Sequence, residues 1–172
     1  MMLQNNREEM INLRQIRWHV FVLIVAVYGA ISCSRQPVYN EFKQVDPDGW
    51  SADSSSVFQV NMEDTSGTYN LTLHIRHTSS YPYQNLWLFV EQLSPDSQLV
   101  RDTISCILAD HAGKWLGTGT GSVYLFSAPL KKQYSFGQQG IYRYTVVHGM
   151  RDEILSGIQA VGLKLENQHG KE

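Results

Sequence analysis

Cys33 follows the small-apolar-small triplet Ala30-Ile31-Ser32 and closes the uncharged run Val20–Ser32. A thiol in that place can accept a lipid: diacylglycerol joins the sulfur, the chain is cut ahead of the cysteine, and the new N-terminus hangs from a membrane by its acyl chains. About a dozen uncharged residues are too few to cross a bilayer, which takes roughly 20. With Arg14 and Arg17 ahead of it, the run reads as the apolar region of an export signal. Residues 1–32 are therefore expected to be a cleaved lipoprotein signal peptide, with Cys33 as the lipidated first residue of the mature chain.

The other groups that could do chemistry are weaker. His74 and His77 suggest a metal, but residues three apart on one strand point to opposite faces, and no His-Cys-carboxylate set has zinc-ligand spacing. Asp46, Asp48 and Asp53 miss the calcium-loop pattern, which needs a further acidic ligand and a terminal Glu. Gly117-Thr118-Gly119-Thr120-Gly121 is followed by an apolar strand pattern and not by the Lys-Ser/Thr and helix of a phosphate loop. Asp152-Glu153 is an adjacent pair, unlike the separated carboxylates of a glycosidase. Cys106 has no visible base or basic neighbour to activate it and reads as a buried thiol. The chain is read as non-enzymatic, with no metal and no cofactor beyond the lipid on Cys33.

The elements that would position any site are strands. From Val57 the apolar period is two: Tyr69, Leu71, Leu73 and Ile75 fall on one face and Asn70, Thr72, His74 and Arg76 on the other. Leu86–Val90 is apolar on both faces and is expected to be a central strand. Similar runs follow at 103–108, 123–126, 141–147 and 160–166, separated by turns such as Ser94-Pro95-Asp96 and Gly137–Gly140. Met150–Ser156, ahead of Gly157, is the one helix candidate. Seven to nine short strands predict an all-β chain, a single antiparallel β-sandwich of jelly-roll or immunoglobulin-like style. Residues 33–56, rich in Pro, Gly, Asp and Ser, are expected to be a lipid-anchored tether and lead-in, and residues 57–172 the sandwich domain. Beyond residue 32, eleven Lys and Arg stand against fourteen Asp and Glu, scattered along the chain. No basic footprint for nucleic acid is present, and no small-molecule substrate is evident.

Several strings resemble one family. Tyr81–Phe89, Leu108–Gly119, Gly140–Leu155 and Gly157–Glu166, with Asp48-Gly49-Trp50 and Val57-Phe58 ahead of them, are similar to the gliding motility lipoprotein GldH family of Bacteroidetes. The resemblance covers nearly all of residues 33–166. It implies a lipoprotein that supports gliding motility and the associated type IX secretion machinery, with other gliding and secretion lipoproteins as partners. It brings no catalytic residue. Ser34-Arg35-Gln36-Pro37 lacks the acidic run of surface-exported lipoproteins in this group, which implies the periplasmic face of the outer membrane. Tyr81, Tyr83, Trp115 and Arg151, at loop or strand-end positions in the matching strings, are the candidate partner contacts. Trp115, alone among polar residues and glycine in the loop Asp110–Gly121, is the foremost candidate for exposure. The alternative function is glycan binding by stacking on Trp115 and the tyrosines.

Overall fold

The computed structural model describes residues Gln36–Gln168. The expected signal peptide and Cys33 lie outside the described residues. Eleven strands run β1 (Tyr39–Gln44), β2 (Trp50–Ser51), β3 (Ser56–Met62), β4 (Tyr69–Thr78), β5 (Asn85–Leu93), β6 (Leu99–Ile107), β7 (Thr118–Thr120), β8 (Val123–Tyr134), β9 (Gly140–His148), β10 (Ile154–Leu155) and β11 (Ile158–Asn167). One sheet has the order β1-β11-β4-β8-β7, the other β3-β9-β5-β6, and β10 pairs with β2 in a short ribbon. Every pairing is antiparallel. Without the short β2, β7 and β10, eight strands remain. Their order, first-eighth-third-sixth facing second-seventh-fourth-fifth, is that of a jelly roll.

Alternation builds the core. β4 turns Tyr69, Leu71, Leu73 and Ile75 inward, all at most 2% exposed, while Thr72, His74 and Arg76 face out. β5 and β9 answer from the other sheet with Leu86, Leu88 and Val90 against Tyr142, Tyr144 and Val146. Two inner faces of period two are what a sandwich requires. Cys106 is also buried, and burial pushes its thiol up to about 11.

Two expectations need correction. The expected tether, 33–56, carries structure: β1 pairs along its whole length with β11, from Tyr39↔Leu165 to Gln44↔Ala160. β1 went unseen because Tyr39–Gln44 is a polar edge strand with mostly half-buried residues. The expected helix Met150–Ser156 is absent, and no helix occurs among the described residues. A segment this short gains too few backbone bonds to nucleate a helix. Leu155 is instead buried opposite Trp50 in the β10–β2 ribbon.

The register sorts the connections into two ends. The start of β1 lies beside the end of β11, at the same end as the turns 63–68, 94–98 and 135–139. The segments 79–84, 108–117 and 149–157 lie at the opposite end. All four candidate contact residues belong to those three segments, so the fold gathers them far from where the chain enters β1.

Candidate functional site

At that far end the candidates divide into a buried pair and an exposed pair. Tyr81 is 3% exposed, and its hydroxyl donates to Asn85 O at 2.9 Å. Burial raises its pKa. Trp115 is half-buried, its ring 4.7 Å from His77 and near both Tyr81 and Tyr124. A short fold-back puts it there: Leu116 N–H donates to Leu108 O at 2.8 Å, and Ala109 bridges to Trp115. The loop that reads as exposed in sequence thus closes an aromatic box over His77. The Trp115 ring stays partly exposed at the edge of that box.

Tyr83 and Arg151 are exposed, and both line one groove on the outer face of the four-stranded sheet. Its volume is about 520 Å³, and Asn85, Trp87, Phe89, Thr103, Gly149 and Met150 complete its walls. Trp87 and Phe89 are 42% and 46% exposed. β5 is central as expected, between β9 and β6, yet its outer face is bare. The signal was available: Leu86, Leu88 and Val90 claim the inner face, which leaves Trp87 and Phe89 on the other. Two apolar faces mark a central strand and do not tell whether the outer face is covered.

Local contacts fix the groove. Trp87 N–H donates to Met150 Sδ at 3.4 Å and Gly149 N–H to Trp87 O at 2.7 Å, holding segment 149–151 against β5. The Tyr83 hydroxyl donates to Asp152 Oδ2, and that carboxylate holds the phenol's pKa above its ordinary value. Arg151 makes no ion pair among the described residues, so the groove has a cation at one rim. Aromatic rings, a methionine and an arginine are the composition of an interface anchor.

The other candidate chemistries find no assembled group. His74 faces out and meets Ser127 Oγ at 2.9 Å, while His77 faces in, so the two do not converge. Asp46 Oδ1 accepts the Asp48 amide in a turn. Gly117–Gly121 leads into the β7–β8 hairpin. No cluster of His, Cys, Asp and Glu suited to a metal occurs among the described residues.

Residues 37–165 match the family model described as GldH lipoprotein. The chain belongs to the GldH lipoprotein family. A gliding motility lipoprotein GldH homolog of Christiangramia forsetii is 29% identical over 154 residues, covering 86% of this chain and 94% of its own. The gliding motility lipoprotein GldH of Flavobacterium johnsoniae is 27% identical over 154 residues, covering 86% and 95%. Solved structures are more distant: a family GH115 4-O-methyl-alpha-glucuronidase has a TM-score of 0.36 at 7% identity, over 80% of this chain and 18% of its own. Family membership makes this a lipoprotein of the cell envelope, and its relatives are named for gliding motility.

Proposed function

We propose that this protein is a non-enzymatic lipoprotein that supports gliding motility, and the type IX secretion machinery tied to it, by docking a protein partner in the groove over β5. Acylated Cys33 holds it on the periplasmic face of the outer membrane, and the partners are other gliding and secretion lipoproteins. One observation carries the docking reading: Trp87 and Phe89 stand 42% and 46% exposed on a strand with a neighbour at each side. Fully burying a ring the size of Phe is worth about 1.5–3 kcal/mol. A partner that covers both rings recovers what the fold leaves unburied. The Ala30-Ile31-Ser32-Cys33 string and the family support the anchor, and the Ser34–Pro37 segment, which has Arg35 and no acidic residue, supports the periplasmic face.

The test is made in the native host. Trp87→Ala with Phe89→Ala should leave the protein membrane-bound and folded, while surface spreading and co-purification with named gliding lipoproteins are lost. Unchanged spreading and co-purification would overturn the reading. Glycan-array binding abolished by Trp87→Ala would assign the groove to sugar instead. For the anchor, Cys33→Ser should end palmitate labelling and release the protein from membranes.

A further inference from the structure

We propose that acid switches the groove over β5. Once protonated at Nδ1, His148 takes the Asp152 carboxylate from Tyr83 and releases the groove wall 149–151. This rests on the protein-docking reading above and names how the same site is regulated. Gly149, Met150 and Arg151 line the groove, and a held side chain stands at each end of that wall. His148 ends β9 and is buried, its Nε2 3.1 Å from Trp50 O and its ring 5.4 Å from the Trp50 ring. Asp152 is half-buried and accepts the Tyr83 hydroxyl at 2.7 Å. The wall is thus pinned by an imidazole on one side and a carboxylate on the other.

The two pins are coupled. The Trp50 carbonyl only accepts, so Nε2 carries the ring proton and Nδ1 keeps a buried lone pair without a partner. A proton added at Nδ1 makes a buried cation whose new N–H has no acceptor in place. Burial holds the His148 pKa below its ordinary value, and the charge of Asp152, near enough to act on the ring, draws it back up. The segment between the two residues lies outside the strands.

The elements packed around His148 offer no rival carboxylate. β2 and β10 carry no ionisable side chain. On β5, His148 pairs with Leu88, while Glu91 sits on the outer face with Arg101. His77 and Cys106 also face the core, and burial favours the uncharged form of each. Asp53, Arg151 and Glu153 stand exposed.

Competition for Asp152 then sets the state of the groove. A carboxylate holds a charged donor more strongly than a neutral one. The Tyr83 hydroxyl, on a side chain 36% exposed, turns to water when it loses Asp152. At neutral pH there is no charged donor, so Tyr83 keeps the carboxylate and the wall stays in place. In acid the imidazolium claims Asp152, and Met150 and Arg151 move with it. The Met150 Sδ that accepts from Trp87 N–H at 3.4 Å is a weak acceptor and restrains them little.

The test needs no partner, so it can fail while the docking reading stands. The full lipidated protein in detergent micelles is followed by NMR of the imidazole nitrogens and by amide exchange, each amide referred to its intrinsic rate at the same pH. Protection at residues 149–152 should fall about fivefold or more from pH 7.5 to 5.5, across the ordinary histidine range. Asp152→Asn keeps an acceptor for Tyr83 but no charge for His148, so the fall should vanish there. A general loss of stability would persist in that variant. Tyr83→Phe frees Asp152 and should raise the His148 titration midpoint by about half a pH unit, whereas Asp152→Asn should lower it. His148→Gln, whose amide still donates to Trp50 O, should leave exchange at 149–152 independent of pH. Where that variant misfolds, the two midpoints decide. An equal fall in Asp152→Asn, or a His148 midpoint unmoved by both other substitutions, would overturn the proposal. Exchange as expected, with partner capture untouched by Trp87→Ala and Phe89→Ala, would overturn the docking reading alone.

Discussion

The hydroxyl of Tyr83 donates a 2.7 Å hydrogen bond to Asp152 Oδ2, joining segment 79–84 to segment 149–153 across 69 residues of sequence. Both residues are near the surface, so the bond adds little to global stability. Its effect is local, because Arg151 and Met150 line the groove from the segment that it restrains. Tyr83→Phe should speed amide exchange at residues 149–153 and weaken partner capture, with the melting midpoint unmoved. Unaltered exchange would show that the β5 contacts hold the segment without the tyrosine.

Gly149 lies against Phe89, and a β-carbon at 149 would stand 2.8 Å from the ring. The atoms in the way belong to an exposed side chain, which can swing aside. Gly149→Ala should therefore cost less than about 1 kcal/mol in urea unfolding, yet displace Phe89 and reduce partner capture severalfold. A stability loss of several kcal/mol would mean that Phe89 cannot move, contrary to its exposure.

Gly157 presents the opposite case. Its φ is +83°, and a β-carbon there would stand 2.6 Å from Tyr81 Cα and 2.7 Å from Tyr81 N. Neither the left-handed backbone nor a neighbouring main chain can yield as a side-chain end does. Gly157→Ala should destabilise by about 3 kcal/mol, read from urea midpoints. Loss within experimental error of zero would refute the packing described for Tyr81.

What could be read from the sequence was what one strand reveals by itself. The alternation Tyr69–Ile75 identifies β4 and its inward face because burial on one side leaves a period of two. Trp87 and Phe89 resisted reading because a strand apolar on both faces looks the same whether a second layer covers it or water does. Trp115 misled for a related reason. Its neighbours are polar and glycine, and only the fold-back that bonds Leu116 to Leu108 carries the ring onto His77. β1 was hidden because its pairing with β11 spans most of the chain, and no local pattern marks it.

His77 and His148 make stability depend on pH. His77 is fully buried, its Nδ1 3.1 Å from Thr78 O, and Nε2 has no partner. His148 is 4% exposed, its Nε2 3.1 Å from Trp50 O, and Nδ1 has no partner. A carbonyl only accepts, so the bonded nitrogen carries the proton and the other holds a buried lone pair. Protonating that second nitrogen buries a charge with no acceptor, and burial accordingly lowers both pKa values below the ordinary 6.5. Below about pH 6.5 the unfolded chain binds protons that the folded chain refuses. Stability is thus complete above that value and falls as the pH drops toward the folded-state pKa values. Urea midpoints should decline from pH 7.5 to 5.5, above the range where most carboxylates titrate. His77→Phe, which keeps an aromatic ring among Tyr81, Trp115 and Tyr124, should flatten that decline. A slope identical to that of the parent protein would show that His77 takes no part in it.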